Sequence, residues 1–126
     1  MRLILDTVTF MWAVSSPERL SRAAMSALRK ETAVREISVV SLTEIAIKQI
    51  RRKLTFGKAD AIAGVADLRL RVLPYAADHA FRLFDLPAHH ADPFDRQIIA
   101  QALAENVPVV TPDEAFSLYE GLKVVW

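Results

Sequence analysis

A chain of 126 residues with 52% hydrophobic and 25% charged side chains has the size of one domain and enough apolar content for one substantial core. A formal net charge of +1 excludes a strongly basic or disordered tail and argues against sequence-blind duplex binding driven by charge, while leaving room for a local basic patch. The lack of cysteine excludes disulfides, thiolate metal sites and cysteine nucleophiles, and no apolar run reaches the roughly 20 residues of a membrane helix, so the expectation is a soluble domain in the reducing cytoplasm.

The opening stretch MRLILDTVTFMWAV is apolar, is interrupted by Asp6 and carries no small-residue cleavage pattern; it reads as the first strand, with RLILD (2–6) as its compact run, and not as a leader. LSRAAMSALRKE (20–31) is an Ala-rich helix with Ser21 placed to cap it. EISVVS (36–41) reads as a second strand. LTEIAIKQIRRKL (42–54) and KADAIAGVADLRL (58–70) are helical, RVLPY (71–75) is a short strand, and a helix runs from about Ala77 to Leu86. A helix over 94–105 leads into the strand VPVVT (107–111), a short helix at 113–119 and a last strand-like run, LKVVW (122–126). Strands alternating with helices imply βαβ units, hence an α/β domain over residues 1–126 with a mainly parallel central sheet covered on both faces.

In such folds ligands bind beyond the carboxyl ends of the strands, where the strand order reverses. The first strand ends in Asp6-Thr7, the second in Ser41 with Glu44 one turn on, and VPVVT in Thr111 with Asp113 two residues later. In LPAHHADPFDRQIIAQAL (86–103), a helix start accounts for Asp92 as N-cap and Pro93 at the first helical position. It does not account for Asp95. At about 100° per residue, Asp95 falls near the middle of the apolar arc formed by Phe94, Ile98, Ile99, Ala102 and Leu103. A carboxylate on an inner face is costly unless paired, hydrogen-bonded or bound to a cation.

Each of the other acids has a structural alternative. Asp6 suits the cap of a following helix; TPDE suits a capping box with Thr111 as cap, leaving Asp113 a first-turn acid; and Glu44, on the polar side of its helix with Ser41, Lys48 and Arg51, suits a surface pair with Lys48. If the strand ends converge, Asp6, Glu44, Asp95 and Asp113 form an all-carboxylate cluster that needs a cation, and hard oxygen ligands suit Mg²⁺ or Mn²⁺. The matching chemistry is phosphodiester hydrolysis by a metal-activated water. Thr7, Ser41 and Thr111 are then candidate hydroxyl partners of the carboxylates, and Arg96 a candidate phosphate contact. His89 and His90 read as loop residues near the substrate and His79 as the start of a helix. KQIRRK (48–53) and LRLRV (68–72) read as solvated helix faces or phosphate contacts. Phe10, Trp12, Phe81, Phe84 and Trp126 read as core or partner interface.

Taken together, LILDT, VSLTEIAIK, DPFDRQIIAQAL and VVTPDEAF, in that order, resemble a PIN-domain nuclease, and HHADPFDR in a short single-domain chain resembles the VapC-type toxins of bacterial type II toxin–antitoxin pairs. The resemblance covers nearly the whole chain. It implies a three-layer α/β/α domain and a Mg²⁺- or Mn²⁺-dependent endoribonuclease, with Asp6, Glu44, Asp95 and the more variable Asp113 as acidic ligands. It also implies a cognate antitoxin whose C-terminal segment blocks the acidic pocket, structured RNA such as tRNA or rRNA as substrate, and a homodimer. Val8 departs from the His, Asn or Ser that many relatives carry after Asp-Thr. The alternatives are a haloacid-dehalogenase-like phosphatase, which needs a second acid at position 8, a receiver-like signalling domain, which needs an acidic pair near the first strand, and a nuclease-like fold kept for protein binding.

Overall fold

The computed structural model describes all residues, Met1–Trp126. Five short strands, β1 (Arg2–Leu5), β2 (Val34–Ser38), β3 (Arg71–Leu73), β4 (Val109–Val110) and β5 (Val124–Val125), form one sheet in the order β3-β2-β1-β4-β5. Every pairing is parallel, with Ile4 opposite both Glu36 and Val109. The six helices are α1 (Thr7–Ser15), α2 (Arg22–Arg29), α3 (Val39–Ile50), α4 (Lys58–Asp67), α5 (Ala77–Leu83) and α6 (Pro93–Glu105). Parallel strands need crossovers, and the helices supply them while covering both faces. The chain is therefore an α/β/α sandwich. Its strand order differs from the 2-1-3-4-5 order of flavodoxin-like receiver domains, which removes the receiver reading.

Alternation along β1 divides the core. Ile4 points to the α5–α6 layer with Ile98, Ile99, Val109 and Phe116. Leu3 points the other way to Ala24 and Ala27 of α2, and Leu5 to Phe10 and Ile45 of α1 and α3. On the α5–α6 face β2 contributes Glu36 and Ser38. Glu36 is fully buried and paired with Arg2 at 2.6 Å; Arg2 also reaches Glu105, whose other oxygen meets buried His79 at 3.1 Å. Ser38 is hydrogen-bonded to buried Gln101, which also donates to the Pro74 carbonyl. This polar seam runs under the sheet from Arg2, at the amino end of β1, to Ser38 and Pro74, at the carboxyl ends of β2 and β3.

Most elements are shorter than the sequence reading gave them, and three differences near the site have a local reason. The first strand ends at Leu5, because the Asp6 side chain accepts the Thr9 amide and starts α1 inside the apolar stretch TVTFMWAV. The second strand runs from Val34 to Ser38 and not to Ser41. The Ser38 hydroxyl accepts the Val40 amide, so Val39 and Val40, with strong strand propensity, open a helix. The short element after VPVVT is capped by Asp113, which accepts the Ala115 amide, and not by Thr111. Ser21 and Asp92 cap α2 and α6 as their positions imply, and Asn106 closes α6 in the left-handed region, φ 54°.

Candidate active site

The strand order reverses between β1, which leads to β2 and β3 on one side, and β4, which leads to β5 on the other. Asp6 follows β1 and Thr111 follows β4, so parallel pairing of Leu5 with Val110 delivers them side by side. The Thr111 hydroxyl donates to Asp6 Oδ2 at 2.6 Å, and the Thr9 amide donates to Oδ1 at 2.9 Å. Asp6 is buried. Burial pushes its carboxyl above the ordinary range; the donors Thr111 and Thr9 oppose that rise and the charge of Asp113 adds to it. Asp6 is therefore both a helix cap and a wall of the site.

Glu44 does not take the surface position that its structural alternative implies. It is buried, not on the surface, because the polar side of α3 at Ser41 and Glu44 turns inward against the start of α1. The Thr7 hydroxyl lies 2.6 Å from Glu44 Oε1 and 2.9 Å from Ser41 Oγ. Thr7 has one proton to give. The carboxylate takes it, and Ser41 donates to Thr7. Ser41 therefore acts on Glu44 through Thr7 and not directly. The pair with Lys48 forms at 2.5 Å, and the Lys48 ammonium is held above its ordinary range chiefly by Glu44, with the charges of Asp92 and Asp95 adding to it. Lys48 thus extends toward the acids as a resident cation.

Asp95 is the third residue of α6, whose direction is fixed by Asp92, Pro93 and the inward apolar row of Ile98, Ile99 and Ala102. Asp95 is half-buried. Burial, then the neighbouring charges of Asp92 and Glu44, raise its carboxyl to about 7, with Asp6 adding and His90 opposing. No hydrogen-bond donor contributes. The carboxylate thus feels the charges of three other acids, an environment common at functional sites.

His90 is the residue that sequence reasoning placed near the substrate without a role. Its Nε2 lies 3.0 Å from Asp113 Oδ2 and its Nδ1 2.9 Å from the Tyr119 hydroxyl. Ligand atoms of His90, Asp95 and Asp113 all fall within 4.8 Å of one another. Asp113 is set by the Thr111 hydroxyl, which accepts its amide at 3.0 Å. The sequence held no local signal for this placement, since His90 is set by Tyr119, 29 residues later.

One expectation changes. Arg96 is not free for phosphate in this conformation: its guanidinium donates to the carbonyls of Pro87 at 2.8 Å and Leu86 at 3.3 Å, tying the histidine loop to α6. The aromatics divide. Phe10 is fully buried, Trp12 and Trp126 meet at the surface with Arg19 over the Trp12 ring at 4.2 Å, and Phe81 and Phe84 are exposed.

The arrangement offers four acids, one imidazole and three buried hydroxyls at the carboxyl end of a parallel sheet. A family model described as PIN domain matches residues 3–122. No curated protein matches. Among solved structures, VapBC2 from Rickettsia felis bound to a DNA fragment from its promoter is similar at 19% identity, covering 98% of this chain and 97% of that one, with a TM-score of 0.75. DNA-bound VapBC from Salmonella typhimurium is similar at 20% identity, with 98% and 96% covered and a TM-score of 0.69. VapBC-5 from Mycobacterium tuberculosis, a member of the VapBC family of toxin–antitoxin systems, is similar at 19% identity, with 98% and 97% covered and a TM-score of 0.67.

Proposed function

We propose, from the premise that this chain belongs to the PIN-domain family, that it is a VapC-type toxin: a divalent-metal-dependent endoribonuclease held in check by a cognate antitoxin. One observation carries the reading. The Asp95 carboxylate is half-buried among Asp92, Glu44 and Asp6, lacks a hydrogen-bond donor, and is raised to about 7. A divalent cation is the partner this set of oxygens needs.

Asp6, Glu44, Asp95 and Asp113 are the residues that would hold Mg²⁺ or Mn²⁺. The bound ion supplies an activated water and neutralises charge on the scissile phosphate. The rest of the site orients. Thr111 fixes Asp6, Thr7 backed by Ser41 fixes Glu44, and Asp113 is fixed by the Thr111 hydroxyl. Lys48 neutralises Glu44 and places a positive charge beside the acids, where a phosphate would approach. Arg96 serves by anchoring the histidine loop. We further propose a structured RNA such as tRNA or rRNA as substrate, a homodimer and a cytoplasmic location. No helix is long and apolar enough to cross a membrane, and the similar structures are of VapBC complexes.

The test uses purified protein freed of co-purifying partner, incubated with total cellular RNA and Mg²⁺ or Mn²⁺. Discrete cleavage products that disappear with EDTA and with Asp95→Asn are expected. Cleavage undiminished by either change overturns the carboxylate–metal reading.

A further inference from the structure

We infer that His90 is a nitrogen ligand of the cation site, so that the site binds a first-row transition ion such as Mn²⁺ in preference to Mg²⁺; this rests on the metal-site reading above. The observation is the joint placement of one imidazole and two carboxylates. A ring nitrogen of His90 and one oxygen each of Asp95 and Asp113 all lie within 4.8 Å of one another, and Nε2 is 3.0 Å from Asp113 Oδ2. Ligand atoms on opposite sides of an octahedral ion sit about 4.2 Å apart, twice a bond of about 2.1 Å. Small side-chain adjustments therefore bring all three onto one ion.

The imidazole is built into position. Its ring stacks on Tyr119, with centroids 5.5 Å apart and planes 18° apart, and meets Phe116 edge-on at 5.1 Å. Nδ1 is held by the Tyr119 hydroxyl at 2.9 Å, and the side chain is 8% exposed. A ligating imidazole characteristically has its second nitrogen fixed by a hydrogen bond to an outer group, and Tyr119 occupies that place. Nε2 now meets Asp113 Oδ2 at 3.0 Å, the contact that an ion would replace; with Nδ1–H then donating to the Tyr119 oxygen, Nε2 has a lone pair to offer the ion. The loop carrying His90 is itself tied to α6 through Arg96 and the Leu86 and Pro87 carbonyls, so the nitrogen is carried by the element that carries Asp95.

The donor set then decides selectivity. Carboxylate oxygen serves Mg²⁺ and Mn²⁺ alike, whereas neutral nitrogen favours transition ions along the Irving–Williams order. His89 stands next in sequence, but its ring meets Tyr119 edge-on at 4.8 Å and takes no part in the cluster.

The experiment is electron spin-echo spectroscopy of Mn²⁺ bound to the full chain, with titration calorimetry of Mn²⁺ and Mg²⁺. The wild-type spectrum is expected to show modulation from a directly bound imidazole nitrogen. It should be lost in His90→Gln and kept in His89→Gln. His90→Gln should lower Mn²⁺ affinity about 10- to 100-fold, on the scale of losing a group that supports a metal, and change Mg²⁺ affinity by less than about threefold. Bound Mn²⁺ that requires Asp95 yet shows no nitrogen modulation in the wild type overturns the role of His90 and leaves the carboxylate site standing. Mn²⁺ binding that is absent, or indifferent to Asp95→Asn, overturns both.

Discussion

Replacing Asp95 by Asn tests the electrostatics of the site without any substrate. In metal-free protein the Asp95 carboxyl is raised from 3.8 to about 7, with burial as the largest cause and Asp92 and Glu44 next. Between those pH values the unfolded chain is ionised at this position and the folded chain is protonated. Folding stability therefore falls as pH rises through this window, and the fall is complete above pH 7. From pH 5 to 7 it amounts to about 2.7 kcal/mol at about 1.4 kcal/mol per pH unit. Screening of a half-buried carboxylate reduces this to about 1–1.5 kcal/mol. Asp95→Asn lacks the ionisation, so its melting temperature relative to wild type in EDTA should rise by roughly 3–9 °C between pH 5 and pH 8, at about 3–6 °C per kcal/mol for a domain of this size. Differential scanning calorimetry at the two pH values measures this directly. Saturating Mn²⁺ should reverse the advantage, since a hundredfold excess over Kd stabilises the binding-competent wild type by about 2.7 kcal/mol. An offset between the two proteins that is unchanged from pH 5 to pH 8, or that shrinks, would mean that Asp95 carries no strained charge in the fold.

Other perturbations probe neighbouring parts. Arg2→Met leaves buried Glu36 unpaired and should lower stability by about 3–5 kcal/mol in urea titrations, while Arg2→Met with Glu36→Leu should recover most of the loss; failure of the double variant to recover would show that packing, not charge, dominates there. Thr111→Val removes a donor from buried Asp6 and should cost about 1.5–3 kcal/mol by the same measurement, with a loss below 0.5 kcal/mol arguing against the 2.6 Å contact. Lys48→Met removes the cation that competes for Glu44 and should tighten Mg²⁺ and Mn²⁺ binding in calorimetry; weaker binding would show that Lys48 assists the ion. Asn106→Ala should destabilise by about 1 kcal/mol and Asn106→Gly by much less, because only the left-handed backbone is at stake.

The sequence made Asp95 legible because a charge inside an apolar helical arc contradicts the arc, and the contradiction survives errors of two residues in the helix boundary. The βαβ alternation was legible for the same reason: strand runs and helical periods differ in length and phase. The surface alternative for Glu44 arose because helical periodicity separates polar from apolar sides but does not say that a polar side faces solvent. The inward turn of α3 depends on α1, and α1 was hidden because TVTFMWAV continues the apolar run of β1 with β-branched and aromatic residues. Val39 and Val40 misled in the same way: strand propensity lost to a serine cap and to the packing of Val40 in the core. His90 carried too little local pattern to read. Its position follows from a tyrosine 29 residues later, a contact no window along the chain contains.

The contact between Asp6 and Thr111 joins positions 105 residues apart. During synthesis at about 5–20 residues per second, roughly 5–20 s separate the appearance of the two. Until β4 emerges, Leu5 has no strand beside it on that side, and neither Thr111 nor Asp113 exists to complete the acidic wall. A chain stopped short of residue 109 has Asp6, Glu44 and Asp95 but lacks the Thr111 hydroxyl that orients the first of them. On the proposed reading, a fragment released early is therefore unarmed, and the interval before completion is one in which a cell making such a nuclease is not yet exposed to it.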